Sequence, residues 1–429
     1  MKKSLALIVF LALLAGTGAY AQQTKPRVIV TTDGEVDDRS SFTRFLLYTS
    51  DVDLRGVIAT NSKWQKKGHG LGWIHEAYEL YGQVRDTLLL HKSGYPSVDY
   101  LESITALGNE DPEHLSGGAP YVDSEGSELI LDELLKMEDD PLHITCWGGV
   151  NTVAHALWKF RKNYPQEYDD KISMVRVIAI SFQDEAGEWI VENMPQVRII
   201  RNNAFHMTWN YHSIDNPLPH NPHPHYMSEK WLNENIKTGH GPLGAWYPQD
   251  NVSEGDTPAF LGFIDNGLNA YRDYSLGGWG GRYQPINDNY WSDAKDDNNE
   301  HKTLWRWIPE LQNDFAARMD WTVHSYEEAN HAPVIDTVSS AKTVEPGQKV
   351  ALQANGRDPD GDNLYYYWWH YPDPSGMDQA VKINKESSKN ASFTVPEKSG
   401  DALHIILEVT DDGTPRLKRY RRLIFKVEN

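Results

Sequence analysis

A short apolar segment that runs into a cluster of aspartates constrains this chain more than any other feature. Residues 28–32 are mostly β-branched, which predicts a buried strand. Asp33 and Gly34 follow as turn residues, and from Asp37 onward apolar residues recur at helical spacing. The aspartates Asp33, Asp37 and Asp38 therefore stand where a strand ends and a helix begins. Ligands of open α/β sheets bind just beyond the carboxyl ends of the strands, so this turn is the first candidate site.

The crowding of carboxylates in this turn predicts a metal ion. Three aspartates within six residues, beside a buried strand, repel one another unless a positive charge lies among them. Hard cations such as Ca²⁺ take carboxylate and carbonyl oxygens as ligands. The alternative is that Asp37 only caps the helix, where the dipole favours negative charge, and that the other two are solvated. The local pattern favours the metal site over this alternative.

The same stretch resembles the opening motif of the nucleoside hydrolases, which reads Asp-x-Asp-x-Gly-x-Asp-Asp after the first strand. The resemblance implies that Asp33 binds calcium and acts as base on a water, that Asp37 holds the sugar and that Asp38 is a calcium ligand. Thr31 replaces the first aspartate of the motif, and residues 34–35 replace its usual Pro-Gly. The stretch is closer still to a bacterial branch of unknown activity named cellulose-binding proteins, which joins a nucleoside-hydrolase-like domain to an Ig-like tail.

Two further segments complete the calcium site that the resemblance implies. Asn151 follows two glycines after a predicted strand, and the match on this asparagine gives the backbone carbonyl of Val150 to calcium. Asp256 matches a late calcium-binding aspartate of the family, although Gly255 stands where a histidine often precedes it. Each segment also has a simpler interpretation, in which Asn151 or Asp256 caps the helix that follows. The expected calcium ligands are Asp33, Asp38, Val150 and Asp256.

Polar residues that follow the other predicted strands are candidates for binding the sugar. In the resemblance, Asn61 matches an asparagine that binds sugar hydroxyls, and Glu188 matches a ribose-binding glutamate. Ile190 replaces a nearby asparagine of the family, so we expect hydroxyl recognition to differ and Gln183 and Asp184 to take part. The expected substrate-binding residues of this group, with Asp37, are Asn61, Asn151, Gln183, Asp184 and Glu188.

Two glycine-containing turns are candidates for the rim of the site. His240 stands in a turn before a helix start, and Trp279 and Arg282 stand in a glycine-rich aromatic loop. Trp279 and Arg282 are expected to bind substrate, although both turns also suit a purely structural role. Either His240 or Glu254 is expected to protonate the leaving group, on residue type and position.

Alternating strand and helix patterns predict an α/β domain in the first three quarters of the chain. Strands are predicted at 28–32, 54–59, 88–91, 143–147 and 175–180, and helices at 73–84 and 125–137. This alternation predicts a Rossmann-like, mostly parallel sheet with helices on both faces. Later in the chain, short strands are predicted at 349–353, 364–369, 391–395, 404–409 and 421–427, which is typical of an all-β Ig-like sandwich.

These patterns divide the chain into three parts. Residues 1–21 combine a basic start, an apolar run and an Ala-x-Ala site, which predicts a cleavable signal peptide and hence a soluble periplasmic or secreted protein. Residues 22–329 form the predicted nucleoside-hydrolase-like domain, and residues 330–429 form the predicted Ig-like sandwich. An aspartate-rich turn at 358–362 either holds a structural calcium with Asp411 or Asp412 or is a plain polar turn.

The composition limits the partners of the protein. The formal net charge is -20, with 41 Lys and Arg against 61 Asp and Glu, which disfavours nucleic acids and anionic membranes as partners. The 15 Trp and 22 Tyr suit sugar-stacking surfaces as well as packed cores. Cys146 is the only cysteine, so the chain has no internal disulfide. The sequence does not indicate an oligomeric state.

Together these features predict an exported calcium-dependent hydrolase that cleaves an N- or O-glycosidic bond to a furanose-like sugar, in a nucleoside or a plant-wall glycoside. Asp33 is the expected base for the attacking water. The alternative is a carbohydrate-binding protein without turnover, for example a cellulose binder, which the aromatic residues and the Ig-like tail fit. A nucleoside hydrolase for salvage fits less well, because salvage enzymes are usually cytosolic and this chain begins with a predicted signal peptide.

Overall fold

The computed structural model describes residues 25–116, 123–205 and 221–428. The predicted signal peptide, residues 1–21, lies outside these ranges. Within the described ranges, no helix has both the length and the apolar character needed to cross a bilayer.

An eight-stranded sheet organises the first part of the chain. Its strands are β1 (Arg27–Thr32), β2 (Asp53–Ala59), β3 (Thr105–Leu107), β4 (Leu142–Cys146), β5 (Val175–Ile180), β6 (Arg198–Asn202), β7 (Tyr283–Pro285) and β8 (Tyr290–Asp293). They lie in the order β3-β2-β1-β4-β5-β6-β8-β7, and every neighbouring pair is parallel except β7 with β8. The predicted mostly parallel α/β sheet is confirmed.

Helices cover both faces of this sheet, as the alternating pattern predicted. They are α1 (Val36–Tyr48), α2 (Gly72–His91), α3 (Val98–Ser103), α4 (Glu125–Leu135), α5 (Asn151–Asn163), α6 (Pro165–Lys171), α7 (Ala186–Asn193), α8 (Glu229–Leu232), α9 (Gly241–Ala245), α10 (Pro258–Leu261), α11 (Lys302–Trp305) and α12 (Ile308–Asp320). On β1, Val28 and Val30 enter one hydrophobic core and Ile29 enters the other. Because successive strand residues point to opposite faces, this alternation places a core on each side of the sheet.

The strand predicted at residues 88–91 is wrong, because these residues form the last turn of α2. Tyr81, Val84 and Leu88 are buried at helical spacing, whereas Leu90 is 59% exposed. The apolar run therefore continues the buried stripe of a helix on one side only, and the third strand of the chain is β3 instead.

The tail is built from two β-sheets around its own core. Its strands are β9 (Val334–Val338), β10 (Thr343–Val344), β11 (Lys349–Arg357), β12 (Tyr365–Tyr371), β13 (Asn390–Thr394), β14 (Ala402–Thr410) and β15 (Lys418–Val427). The sheets have the orders β10-β15-β14-β12 and β13-β11-β9, which confirms the predicted all-β tail. The predicted division at residues 329 and 330 falls between α12 and β9, and the exact division stays a prediction.

The tail packs closely against the α/β part through aromatic and polar contacts. The ring of Tyr420 on β15 lies 6.4 Å from Trp279 and 5.6 Å from Trp307, centroid to centroid. The Tyr371 hydroxyl donates to Asp296 Oδ2 at 2.6 Å, and Arg422 donates to backbone carbonyls of the α/β part. These contacts bury the loop that contains Trp279 and Arg282, which we predicted to lie at the rim of the site.

Candidate functional site

The aspartate turn lies at the carboxyl end of β1, in the middle of the sheet. Gly34 turns the chain with a φ of +75°, and a Cβ at this position would lie 2.7 Å from Trp73 Nε1, so the turn requires glycine. Helix α1 begins at Val36, and its capping residue makes no side-chain cap hydrogen bond. Asp37 and Asp38 lie in the first turn of α1 rather than at the cap. The simpler interpretation, in which Asp37 caps the helix, is therefore wrong.

Five carboxylates converge at this turn, and we call Asp33, Glu35, Asp37, Asp38 and Asp256 the acidic cluster. One oxygen from each of Asp33, Glu35 and Asp38 lies within 4.8 Å of the others, and the same holds for Asp37, Asp38 and Asp256. Asp38 belongs to both groups, so it joins the early aspartates to the late one. The four aspartates are at most 4% exposed. Asp33 and Asp256 belong to different groups, so one point shared by Asp33, Asp38 and Asp256 stays a prediction.

The hydrogen bonds of the acidic cluster leave several buried oxygens unpaired. Asp38 Oδ1 accepts the Thr32 hydroxyl and the backbone N–H of Asp33, the latter at 3.2 Å. Both carboxylate oxygens of Asp33 and Oδ2 of Asp256 are buried without a hydrogen bond of ordinary geometry from any described residue. Buried polar atoms without partners are costly, so these oxygens are suited to a ligand.

The raised pKa values of the four aspartates also indicate that the acidic cluster is suited to a cation. Burial raises the pKa of Asp33 and of Asp256 well above the usual range, and the nearby charge of Asp38 raises both further. Burial also raises the pKa values of Asp37 and Asp38. A bound cation reverses this trend, because an opposite charge favours the ionised form of each carboxylate. Gly148 leaves room beside Asp33, since a Cβ there would lie 2.9 Å from Asp33 Oδ2. The residues present therefore fit a calcium ion.

The segment after β4 contains Val150, the predicted backbone ligand, and no side-chain helix cap. Val150 precedes the first residue of α5, which is Asn151, and no side-chain cap hydrogen bond is made there. The Val150 carbonyl accepts the helical N–H of Ala154 at 2.9 Å, which leaves its second lone pair for another partner. Val150 as a calcium ligand stays a prediction. Asp256 likewise lies before its helix, because Thr257 is the capping residue of α10.

Three predicted sugar-binding residues come together but bond to one another. The backbone N–H and the side-chain amide of Asn151 both donate to Asp184 Oδ2 at 2.9 Å. The same amide donates to Asn61 Oδ1 at 3.0 Å. Asn109, which no sequence pattern singled out, also donates to that oxygen at 3.2 Å. Burial raises the pKa of Asp184 to about 6 although these donors oppose the rise. The network joins the segments that follow β2, β4 and β5.

A cavity of about 260 Å³ opens beside the acidic cluster, and we call it the inner cavity. Gln183, one of the predicted residues, lines it while donating its amide to the carbonyls of Trp147 and Ile180. Trp64 and Lys63, which the sequence did not single out, stand at its edge. The full lining is Glu35, Asp37, Asp38, Lys63, Trp64, Trp147, Ile180, Ser181, Gln183, Phe205 and Asp256.

A second cavity of about 420 Å³ adjoins the first, and we call it the outer cavity. Glu35 and Asp37 line both spaces. The other residues of the outer cavity are Gly34, Val36, Arg39, Gln65, His69, Gln249 and Ser253. A larger cavity of about 1010 Å³ lies at the amino ends of β1 and β2, where Arg27 pairs with Glu133 at 3.0 Å. Ligands of parallel sheets bind at the opposite, carboxyl ends, so the two smaller cavities mark the site.

Neither residue expected to protonate the leaving group lines these cavities. Glu254 is fully buried and its carboxylate receives Arg44 through two hydrogen bonds of 2.5 and 3.1 Å, together with the Tyr247 and Thr257 hydroxyls. A carboxylate held in this way is a structural ion pair. His240 Nε2 lies 2.8 Å from Asp320 Oδ1 and packs away from the inner and outer cavities.

The predicted rim residues also lie elsewhere. Trp279 is buried against Tyr420 of the tail, and Arg282 pairs with Asp296 at 2.8 Å in the same interface. Glu188 is exposed on α7 and lines neither cavity. The structure therefore brings Asp37 and Gln183 to the inner cavity. Asn61, Asn151 and Asp184 form a hydrogen-bonded network that lines neither cavity, and Glu188, Trp279 and Arg282 lie elsewhere.

Comparisons with known proteins agree with the division into an α/β part and an all-β tail. The family described as "Cellulose-binding Sde182, nucleoside hydrolase-like domain" matches residues 27–283. The chain belongs to this family. The family described as "Cellulose-binding protein Sde0182, C-terminal domain" matches residues 349–427, so the Sde182 family's two parts account for the α/β part and the tail. The family resemblance read from the aspartate motif is thereby confirmed.

Solved structures support the same fold. The protein is similar to a nucleoside hydrolase-related hypothetical protein from Saccharophagus degradans associated with carbohydrate metabolism, with 33% identity, a TM-score of 0.81, and coverage of 94% of this chain and 100% of that one. A plant nucleoside hydrolase matches at 10% identity and a TM-score of 0.34, over 66% of this chain and 98% of that one, which is too distant to support an argument. No curated protein matches the chain. The fold is nucleoside hydrolase-like.

Proposed function

We propose that this protein is an exported, calcium-dependent hydrolase that cleaves a glycosidic bond to a furanose-like sugar. The observation that carries the proposal is the set of buried, unpaired oxygens of Asp33 and Asp256 in the acidic cluster. The other members of the cluster and Asp256 line the inner cavity, whereas Asp33 lies behind them in the same cluster. A cluster of this kind is unstable without a cation, and a surface that only binds sugar has no need of it.

The proposed metal ligands are Asp33, Asp38, Asp256 and the carbonyl of Val150. When bound there, calcium would hold vicinal sugar hydroxyls and lower the pKa of a water molecule. Glu35 brings a further carboxylate oxygen within 4.8 Å of Asp33 and Asp38, and the family motif has a glycine at this position. We therefore add Glu35 to the candidate ligands.

In the proposed reaction, Asp33 accepts a proton from the water that attacks the anomeric carbon. The bond from that carbon to the leaving group breaks as the new bond forms, so the configuration inverts. The leaving group departs with the bonding electron pair and takes a proton from solvent water, because neither His240 nor Glu254 lines the cavities. Positive charge that develops on the sugar ring is stabilised by Asp37 and Asp38, which line the inner cavity. Asp37 also accepts a hydrogen bond from a sugar hydroxyl. Asn61, Asn151 and Asp184 position these groups by holding the strand ends together.

The test is a calcium-dependent release assay with the full-length mature protein. Nucleosides and arabinofuranosides are incubated with the protein in the presence of Ca²⁺ or of a chelator, and free sugar is measured. We expect release that requires calcium and that returns when calcium is restored. Activity on one of these substrates that persists unchanged in chelator would contradict the metal-dependent mechanism.

A carbohydrate-binding protein without turnover is the second candidate. The family description names cellulose binding, and Tyr365 and Tyr367 on β12 are 55% and 44% exposed. Alternate residues of a strand share a face, so these two rings form an aromatic surface of the kind that stacks on sugars. Cellulose binding that survives chelation of calcium and is lost in the Tyr365→Ala, Tyr367→Ala double variant, with no sugar release, would favour this candidate.

A further inference from the structure

The inner and outer cavities share one wall. Glu35 and Asp37 line both spaces. The segment of residues 63–65 continues this wall, because Trp64 lines the inner cavity and Gln65 lines the outer one. The outer cavity is therefore the adjoining space for a ligand that fills the inner cavity and is longer than one ring. Such a ligand would pass Glu35 and Asp37, which line both cavities.

At this wall Trp64 is exposed, yet its backbone is held in place. The side chain is 67% exposed. The Ser62 hydroxyl accepts the backbone N–H groups of Trp64 and Gln65 at 3.1 and 3.0 Å. The backbone N–H of Lys63 donates to the Gln183 carbonyl at 2.7 Å, which ties the segment to the end of β5. An exposed tryptophan on a fixed loop is a pre-organised stacking surface, since little conformational freedom is lost when a ligand binds.

The lining of the outer cavity indicates the chemistry of its ligand. Gln65, Gln249, His69 and Ser253 offer amide, imidazole and hydroxyl groups, which donate and accept hydrogen bonds as sugar hydroxyls require. Arg39 is the cation among the lining residues, and its Nε donates to the Gly34 carbonyl at 3.2 Å. The carboxylates of Glu35 and Asp37 outnumber it, which disfavours a phosphate or a uronate. The lining therefore suits an uncharged sugar.

We propose that the outer cavity is a second sugar subsite and that the ligand is a neutral oligosaccharide of two or more units, one of which stacks on Trp64. This inference rests on the proposed sugar site in the inner cavity. It assigns the substrate class to sugar chains rather than to nucleosides.

Chain-length dependence of binding tests the proposal. The full-length protein with Asp33→Asn, which is expected to bind without turnover, is titrated at saturating Ca²⁺ by calorimetry. The probes are glucose, cellobiose and cellotriose, arabinose, arabinobiose and arabinotriose, and inosine. In one of the two sugar series we expect the disaccharide to bind about tenfold or more tightly than the monosaccharide, because a second subsite adds contacts.

Three further variants locate the gain in affinity. Trp64→Ala is expected to weaken disaccharide binding about tenfold, since it removes the stacking surface. Gln249→Ala, which changes the outer cavity alone, is expected to weaken the disaccharide several-fold, by about one hydrogen bond, and to leave the monosaccharide unchanged. Tyr164→Ala is the matched control for an exposed aromatic residue that lines neither cavity, and we expect it to change neither affinity.

The outcomes separate this inference from the proposed function. Equal affinity for monosaccharide and disaccharide in both series, or no binding of either series, would overturn the second subsite. So would a gain that Trp64→Ala leaves intact or that Tyr164→Ala removes. If the second subsite is overturned in one of these ways but the unmodified protein still releases sugar with calcium, the hydrolase proposal holds without the second subsite. If the expected binding pattern is found and no sugar is released, the subsite stands and the hydrolase proposal fails.

Discussion

Two aspartate-rich turns in this protein look alike in sequence and differ in how their carboxylates are used. In the tail turn, Asp358 Oδ1 accepts the backbone N–H groups of Asp360 and Asp362 at 2.9 and 3.2 Å. Asp412 accepts two hydrogen bonds from Asn363, at 2.9 and 3.0 Å. In the acidic cluster, both oxygens of Asp33 lack such donors.

Unpaired oxygens alone do not separate the two turns, but their convergence does. Asp358 and Asp411 also keep one buried oxygen each without a partner. In the described part of the tail, however, no three His, Cys, Asp or Glu residues bring ligand atoms together, whereas the acidic cluster has two such groups. A cation needs several oxygens around one point, so the comparison favours the acidic cluster as the proposed calcium site and favours a plain polar turn in the tail.

The largest effect should come from Asp33→Asn. Asparagine keeps an oxygen and a similar volume but cannot accept the proton of the attacking water, so turnover is expected to fall by about 100- to 10,000-fold. The measurement is the release rate at saturating calcium on a substrate that the unmodified protein cleaves. Asp132→Asn, an exposed aspartate on α4, is the matched control and should keep full activity. Unchanged turnover in Asp33→Asn would remove Asp33 as the base.

Loss of calcium affinity should distinguish the two turns next. Asp256→Ala removes an oxygen from the acidic cluster and is expected to weaken calcium binding by about 100-fold or more, because even groups that only orient a metal ligand contribute about 10- to 100-fold. Asp411→Ala in the tail should leave the calcium affinity unchanged. Calorimetric titration with Ca²⁺ measures both. If Asp411→Ala lost calcium affinity and Asp256→Ala kept it, the calcium site would lie in the tail.

The stability of the calcium-free protein should fall as pH rises. Burial raises the pKa of Asp37 from 3.8 to about 8 and that of Asp38 from 3.8 to about 7. The folded state therefore binds more protons than the unfolded state between about pH 4 and about pH 8, so its stability is highest below this window and is lost through it. Calcium requires the ionised carboxylates and should flatten or reverse the slope.

Urea unfolding from about pH 5 to about pH 8, with and without Ca²⁺, measures this slope. Asp256→Asn should make the slope of the calcium-free protein shallower, because the pKa of Asp256 is raised by burial as well. The tail contributes a slope of the same sign, because burial raises the pKa of Asp411 to about 6, and this part of the stability is lost by about pH 6. A calcium-free protein that gains stability across this pH range would show that the acidic cluster is not protonated as proposed.

The comparison also explains which parts of the site could be predicted from the sequence. Asp33, Asp37 and Asp38 lie in one short motif after a strand, and the parallel sheet followed from alternating patterns. Asp256 was found only through the family resemblance, since nothing local distinguishes it from a helix cap. Trp64 was not selected, because its role depends on the cavity and on the bond from Ser62 that fixes its loop.

Long-range pairing accounts for the residues that the structure places elsewhere. Glu254 looked like a free carboxylate in the sequence, but it pairs with Arg44, which lies 210 positions earlier in the chain. Trp279 and Arg282 looked like a flexible rim, but the tail buries them through Tyr420 and Tyr371. Such partners are set by the tertiary fold, so local patterns cannot reveal them.

The smallest effect is expected from Asp358→Asn in the tail turn. Asparagine retains the oxygen that accepts the N–H groups of Asp360 and Asp362, so the turn should persist, with a loss of about 1 kcal/mol or less from weaker, uncharged hydrogen bonds. Thermal unfolding should therefore shift by only a few degrees. The rise in melting temperature on adding Ca²⁺ should equal that of the unmodified protein, because the ion binds elsewhere. A calcium-induced rise that disappears in Asp358→Asn but persists in Asp256→Ala would show that the tail turn holds the ion. The acidic cluster would then be the turn without calcium.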